Sequence, residues 1–351
     1  MKLYPAPVNI TIFSGDLNGN DGFGFVRIAE NSHHVLKATG TTLGTILDGF
    51  VISGGNADYV GDLLLGGGGL FILQGSATVR GCLFTANSAT TFIGAGGLGS
   101  GSTIVLANSV LWGNRRGALG DESAQIGLDG SVGIINYNLI ENLTGNLGGA
   151  GNIDGDPLFI DDDGLDDVFG TIDGNLRLTS GSQCIDAADN SSVPSDEFDS
   201  DEDGDTSEPI PFDLDSGPRF VDDPDTPDTG QGQAPIVDMG AYEVDAMSLS
   251  DPVPGLAGGL NLWRTDGATP EHSVYFVYGL RTGSVNVPGC PPGTTVLIRN
   301  PTIFGREVAD EFGIAVVKAF VPAAASGRSV RFQAVDQEAC MVSNLVLFTF
   351  P

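Results

Sequence analysis

The chain has 351 residues, with 15 Lys and Arg against 45 Asp and Glu, which gives a formal net charge of −30 at pH 7. Nucleic acid is excluded as an expected partner, because binding it requires a cationic surface. No apolar run approaches the roughly 18 residues of a membrane span, and the length allows two or three domains. The acidic residues are concentrated between residues 151 and 250, which favours divalent cations as ligands there.

One short sequence phrase recurs four times between Ile46 and Leu143. Each copy is an apolar run, too short for a helix and typical of a strand, that ends in an asparagine. The intervals between these asparagines are 31, 27 and 28 residues, which suit one coil of a solenoid. Stacked Asn amides can hydrogen-bond to one another, and Asn tolerates the left-handed backbone of a tight corner. We therefore predict a structural Asn ladder formed by Asn56, Asn87, Asn114 and Asn142.

The repeats resemble the right-handed parallel β-helix of bacterial secreted proteins described as having a "choice-of-anchor Q" domain. The resemblance covers residues 8–245 and is carried by 45–57, 77–89, 156–159, 175–178, 181–188 and 237–243. It implies an all-β protein with a right-handed, pectate-lyase-like parallel β-helix, and an extracellular location, secreted or on the cell surface. It does not imply an activity, because members include surface, adhesive and carbohydrate-associated proteins.

Three sections are expected along the chain. Residues 1–190 are expected to form the β-helix. Residues 1–5 carry no apolar signal-peptide core, so we expect the sequence to start within a longer protein and the first coils to be missing from it. The β-helix continues through Leu158-Phe159-Ile160. Residues 191–250 form an acidic Asp/Pro-rich loop and a closing strand, Ile236–Val244. Residues 251–351 show short strands between Gly, Pro and Asp turns and predict a small antiparallel, Ig-like β-sandwich.

Two acidic loops predict Ca2+ as a cofactor. Oxygen-bearing side chains alternate in each loop and glycine bends the backbone, as in the first half of an EF-hand loop. In the second loop position 12 is Ile210, so the usual bidentate Glu is missing. The competing interpretation for both loops is a solvated turn. The predicted ligands are Asp16, Asn18 and Asn20 in the first loop and Asp199, Asp201, Asp203 and Asp205 in the second.

The four cysteines have no metal-binding spacing. Cys82 and Cys184 lie in apolar strand sequences, where buried small residues are expected. Cys290 and Cys340 lie in the same last section. The sequence allows either a disulfide between them or two free thiols.

Catalysis is an alternative, because parallel β-helices include polysaccharide lyases and glycosidases. A lyase needs a base and a cation or arginine beside the uronate. Lys37, Arg80, Arg115 and Arg116 occupy no recurring place beside carboxylates, although the arginine pair is a candidate for holding an acidic sugar. A glycosidase needs carboxylates facing a groove, and the acids of the repeats are scattered.

We therefore predict a non-catalytic scaffold or adhesion protein that binds glycan or protein along the solenoid faces. A polysaccharide or a surface protein is the expected partner. The alternative is a polysaccharide-degrading lyase or glycoside hydrolase. The aromatic residues available to a sugar in the repeats are Phe92, Trp112 and Tyr137.

Overall fold

The computed structural model describes residues 12–58, 66–90, 94–171, 174–179, 181–200, 204–214, 218–223, 226–244, 247–290, 294–310 and 313–351. The predictions made for residues 1–11, Phe92, Asp201 and Asp203 fall outside the described residues. The chain divides into two compact units. The first comprises Met1–Leu178 and Ser182–Val244, and the second comprises Thr179–Gly181 and Asp245–Pro351.

The described residues of the first unit contain eighteen short strands, which we number in chain order. They are β1 Ile12–Ser14, β2 Leu36–Thr39, β3 Ile46–Asp48, β4 Val51–Ser53, β5 Asn56–Ala57, β6 Leu70–Leu73, β7 Ser76–Arg80, β8 Leu83–Thr85, β9 Ser88–Ala89, β10 Gly97–Ser100, β11 Thr103–Ala107, β12 Val110–Leu111, β13 Arg115–Arg116, β14 Ile126–Asp129, β15 Val132–Asn136, β16 Leu139–Ile140, β17 Phe159–Asp161 and β18 Asn175–Leu178. The helices are α1 Glu122–Gln125 and the 3-10 turns Ile28–Glu30, Gly164–Asp166 and Asn190–Ser192.

Successive coils place their strands in the same parallel sheets. The first sheet has the order β1-β4-β8-β12-β16, the second β2-β6-β10-β14 and the third β3-β7-β11-β15, while β5-β9-β13 form a short fourth stack. All pairings within these sheets are parallel and in register, as for Val51, Leu83, Val110 and Leu139 across four coils. This arrangement confirms the predicted parallel β-helix.

The first sheet is buried on both faces, which explains its nearly continuous apolar runs. One set of side chains points into the solenoid and shares its core: Ile52, Phe84, Leu111 and Ile140. The alternate set packs on the other side against described residues of 174–178 and 182–244, which we call the covering segment: Val51, Leu83, Val110 and Leu139. The covering segment contributes Leu176, Leu178, Cys184, Ile185, Val237, Met239 and Tyr242 to that second core.

Left-handed residues form a column at each end of the first sheet. The column before the strands is Gly49, Gly81, Asn108 and Tyr137, and the column after them is Gly54, Ala86, Gly113 and Asn142. Each coil therefore turns at the same two backbone positions, even where the residue is not glycine.

The predicted strands near the end of the first unit differ from the structure. Residues 159–161 do not continue the parallel sheets, because β17 pairs antiparallel with β18. Residues 236–244 do not form a strand. The backbone donors of this segment bond to scattered acceptors: the N–H of Asp238 donates to Glu243 Oε2, that of Met239 to the Cys184 carbonyl and that of Val244 to Asp238 Oδ2. The segment consequently covers the first sheet without adding to it.

The second unit is a small β-sandwich, as predicted. Its strands are β19 Ser248–Leu249, β20 Gly259–Asp266, β21 Ser273–Gly279, β22 Thr282–Asn286, β23 Thr295–Ile298, β24 Thr302–Val308, β25 Ala315–Val321, β26 Ser329–Asp336, β27 Met341–Val342 and β28 Val346–Thr349, with a 3-10 turn at Ala323–Ala325. One antiparallel sheet is β19-β20-β25; the other is β24-β21-β26, with β27 and β28 also paired to β26. Strands β22 and β23 form a separate pair. The core includes Trp263, Phe276, Val317 and Phe332.

Candidate functional site

A groove with a volume of about 880 Å³ lies along the carboxyl ends of the strands of the first sheet. Its floor follows the stacked coils and consists of residues at or just after each strand end: Ser14, Ser53, Ala86, Trp112 and Glu141. The residues therefore come from five coils that are distant in sequence. Concave sites of this size that combine apolar walls with a few polar groups are typical ligand sites.

Two loops form the walls of the groove. One follows β1 and contributes Phe23 and Phe25, and the other contributes Phe169 and Gly170. The Ser53 hydroxyl donates to the Gly170 carbonyl at 2.7 Å, which holds the second loop against the floor. Gly170 has φ +72, and a Cβ there would lie 2.9 Å from Ser53 Cβ, so this close approach depends on glycine.

Four aromatic side chains of the described part of the chain line the groove at graded exposure. Phe23 is 74% exposed, whereas Phe25, Trp112 and Phe169 are half-buried. An ideal Cβ on Gly113 would lie 3.8 Å from the Phe169 ring, so Phe169 lies over the strand end beside Trp112. The groove therefore presents aromatic surface both on its floor and on its walls.

An ion pair between Arg115 and Glu141 lies in the groove. Arg115 Nη1 is 3.1 Å from Glu141 Oε1 and 3.0 Å from Oε2. Oε2 also accepts from Gln125 Nε2 and from the Gly113 N–H, both at 2.9 Å. Glu141 is buried, and these donors compensate the removal of its charge from water.

An acidic cluster at the first predicted calcium loop borders the groove through Asp16 and Asp21. Asp16, Asp21 and Glu30 each place one carboxylate oxygen within 4.8 Å of the other two, so these residues could hold a cation. Burial, with the charges of Asp16 and Glu30, raises the pKa of Asp21 to about 6 despite a hydrogen bond from Asn31.

The predicted ligands of that loop have other contacts. Asp16 Oδ1 accepts the N–H groups of Asn18 and Gly19, and Oδ2 accepts that of Asp21. Asn18 and Asn20 are exposed. Asp21 and Glu30, which the sequence interpretation did not include, are the residues that the structure brings next to Asp16.

In the second predicted calcium loop, Asp199 and Asp205 are described. Asp199 Oδ1 accepts the Gly204 N–H at 3.0 Å. Asp205 Oδ1 accepts the N–H and hydroxyl of Ser207 at 2.9 and 2.7 Å, and these bonds lower the pKa of Asp205. Both carboxylates thus stabilise local turns.

Two of the four predicted ladder asparagines are bonded to each other. Asn87 Nδ2 donates to Asn114 Oδ1 at 3.0 Å, and Asn114 Nδ2 donates to Gln125 Oε1 at 2.8 Å. Asn56 lies one position later, beside Ser88, whose hydroxyl donates to Asn56 Oδ1. Asn142 lies one position earlier, at the left-handed corner, and its Nδ2 donates to the Gly120 carbonyl. The ladder of hydrogen-bonded side-chain amides therefore consists of Asn87, Asn114 and Gln125.

A second polar column, not predicted from the sequence, lies at the opposite end of the first sheet. The Cys82 N–H donates to the Ser109 hydroxyl, the Ser109 N–H to Asn138 Oδ1, and the Asn138 N–H and Nδ2 to Asn152 Oδ1. The sequence signal is a polar or small residue immediately before the apolar pair in three coils, at Cys82-Leu83, Ser109-Val110 and Asn138-Leu139.

The cysteines and the remaining predicted binding residues have defined positions. Cys290 and Cys340 form a disulfide in the second unit, while Cys82 and Cys184 are free and buried. Arg116 pairs with Asp121 at 3.2 Å. The Tyr137 hydroxyl donates to Gln231, and Tyr137 is not one of the residues that line the groove.

Comparisons with known proteins leave the family open. A scan against protein-family models gives no match, and a search of curated proteins finds no relative. Within the described part of the chain, no helix has the length and apolar character needed to cross a membrane. The groove is accordingly the feature from which a function can be argued.

Proposed function

We propose that this protein is a secreted or cell-surface β-solenoid that binds a polysaccharide in the groove along its first sheet. The observation that carries the proposal is the combination of four aromatic side chains with the Arg115–Glu141 ion pair in one concave site. The disulfide of the second unit supports an extracellular location, because disulfides persist in oxidising compartments. The repeats support the bacterial "choice-of-anchor Q" type as the family.

Each part of the groove has a role in this proposal. The aromatic rings supply flat apolar surface for the C–H faces of sugar rings. Because an aromatic side chain has few rotatable bonds, it loses little conformational entropy when a ligand binds. Arg115 and Glu141 supply a donor and an acceptor for sugar hydroxyls or for an acidic sugar. Because Gln125 and the Gly113 N–H hold Glu141 in place, little side-chain entropy is lost when a ligand binds.

The elongated floor favours a polymer over a small molecule. The floor residues repeat once per coil along the stack, so a chain of sugar units can lie across several coils at once. Many weak contacts with successive units then add to a useful affinity, which is the behaviour expected of a scaffold or adhesion protein.

Glycoside hydrolysis is a second candidate, favoured by one observation. Asp21 lies in the groove with its pKa raised to about 6, and a general acid must keep its proton near neutral pH. In this alternative Asp21 protonates the glycosidic oxygen of a bound chain, and a second carboxylate of the groove serves as base or nucleophile.

A pair of phenylalanine variants tests the binding proposal. Phe23 is in the groove and Phe198 is 92% exposed outside it, so Phe23→Ala and Phe198→Ala remove the same side chain from comparably exposed positions. With a polysaccharide that binds the full chain in calorimetric titration, we expect Phe23→Ala to weaken binding at least about tenfold, about 1.4 kcal/mol. Phe198→Ala should bind as the unchanged protein does.

The outcomes separate the candidates. Equal affinities for the two variants, or no binding across neutral, acidic and uronate-rich polysaccharides, would refute the groove as a glycan site. New reducing ends that form with the unchanged protein and disappear with Asp21→Asn would establish the hydrolase instead.

A further inference from the structure

A second acidic cluster lies away from the groove, where the covering segment folds over the solenoid. Asp186, Asp222 and Asp228 each bring one carboxylate oxygen within 4.8 Å of the other two. Asp186 is completely buried, whereas Asp222 and Asp228 are exposed. The cluster therefore has one side inside the protein and one side open to solvent.

Backbone hydrogen bonds fix the surrounding loop around Asp186. The Asp223 N–H donates to Asp186 Oδ2 at 3.3 Å. The N–H groups of Thr229 and Gly230 donate to the Asp186 carbonyl at 2.9 and 3.0 Å. Asp222 and Asp228 are adjacent to these contacts in sequence. The backbone hydrogen bonds of the loop therefore hold their carboxylates close to Asp186, although the like charges repel one another.

One oxygen of Asp186 has no partner among the described residues. Its Oδ1 is buried and accepts no hydrogen bond from any residue that the structure describes. Burying a carboxylate oxygen without a hydrogen-bond donor costs free energy of folding. A bound ion or a catalytic role would account for such a group. Burial, followed by the charges of Asp222, Asp223 and Asp228, raises the pKa of Asp186 to about 7.

We propose that Asp186, Asp222 and Asp228 bind one Ca2+ that fastens the acidic loop onto the solenoid. All three groups are carboxylates, which suit hard cations. The open side of the cluster leaves positions for water, and Ca2+ accepts six to eight oxygens in flexible geometry, whereas Mg2+ demands a near-ideal octahedron. The site differs from both calcium loops that the sequence predicted, and it does not depend on the groove.

The sequence gives no local motif for this site. Asp186 follows the buried Cys184-Ile185 pair, and the other two ligands come from a loop that packs against it only in the folded protein. The cluster at Asp16 does not carry the same inference, because Asp16, Asp21 and Glu30 are all only partly buried.

Calcium titration of the full chain, freed of metal with EDTA, tests the proposal. The variant is Asp222→Asn with Asp228→Asn, which keeps the shape of both exposed side chains. The control is Asp199→Asn with Asp205→Asn in the predicted loop. We expect the unchanged protein and the control to bind Ca2+ at this site with a Kd of about 10⁻⁴–10⁻³ M, the range of extracellular modules. The variant should lose at least about tenfold in affinity there.

Thermal unfolding gives the second measurement. We expect about 10 mM Ca2+ to raise the Tm of the unchanged protein and of the control by about 3–10 °C. The variant should unfold without Ca2+ at or above the Tm of the unchanged protein, because two like charges beside Asp186 are gone, and it should gain less than half of that rise. No rise in the unchanged protein, or a rise that the variant keeps and the control loses, would overturn the proposal.

Discussion

We predict that, among the charged residues of the first unit, Arg219 is the one whose replacement lowers the Tm most. It lies on the covering segment and is only 5% exposed. Its Nη1 is 3.0 Å from Asp48 Oδ2 and its Nη2 is 3.2 Å from Asp48 Oδ1, a two-point contact with the end of β3. The pair therefore connects the acidic loop to the third sheet of the solenoid.

Replacing Arg219 by Met tests this contact, because Met fills much of the same volume without charge. The change leaves the Asp48 carboxylate, whose side chain is 12% exposed, without its cation. Removing one partner of a buried pair costs about 3–5 kcal/mol. For a unit of this size, that corresponds to a fall in Tm of about 6–20 °C.

The double variant Arg219→Met with Asp48→Leu should recover most of that loss, because a buried pair can be exchanged for apolar residues at little cost. Arg116→Met is the matched control. Arg116 and Asp121 are 25% and 47% exposed, and a surface pair contributes at most about 1 kcal/mol.

Differential scanning calorimetry is the assay, since it reports both Tm and enthalpy for each unit. The reasoning is refuted if Arg219→Met lowers the Tm no more than Arg116→Met does. It is also refuted if the double variant is as unstable as the single one, because the loss would then come from packing and not from an unpaired charge.

Three further predictions concern the ladder, pH and the disulfide. Asn114→Ala removes an acceptor from Asn87 and should lower the free energy of unfolding by about 1–3 kcal/mol in urea titrations. Because the pKa of Asp186 is raised to about 7 in the folded state, the folded protein holds more protons than the unfolded one. In EDTA its stability should therefore fall as pH rises from about 4 to about 7. Asp186→Asn should reduce that dependence, and the rest comes from groups such as Asp238 and Glu243, whose pKa values burial also raises. Replacing Cys290 and Cys340 by Ser opens a loop of sequence separation 50 and should cost about 4 kcal/mol, measured as the Tm of the second unit.

The parallel β-helix was predictable because each coil repeats its apolar run at nearly constant spacing. The ladder was predicted only in part, because the phrases were aligned on their final asparagine. Alignment on the apolar pairs, such as Val51-Ile52 with Leu83-Phe84, places Asn87 opposite Gly55 and Asn114 opposite Asn87. The corner has the same number of residues in these coils, because Val51 pairs with Leu83 and Asn56 with Ser88 at one constant offset. The asparagine itself occupies different positions of the corner, whereas strand register follows the buried side chains.

The sequence indicated Trp112 and Arg115 as candidate binding residues, but it could not predict the groove that contains them or the new acidic cluster, for a physical reason. Phe23, Trp112 and Phe169 belong to separate coils and loops, and only the stacking of the coils brings them together. The same holds for Asp186 and the loop at Asp222. The spacing of residues in the sequence predicts which residues meet within one loop or coil. These two sites depend instead on how loops that are distant in sequence pack against one another.

The regular stacking of the first sheet gives the groove a built-in length scale. Neighbouring strands in a sheet lie about 4.8 Å apart, so the five strand ends on the floor extend over about 19 Å. A polymer whose chemical repeat is a whole multiple of that interval would meet equivalent backbone positions at each step. The solenoid could then discriminate between polymers by the periodicity of their chains as well as by their composition.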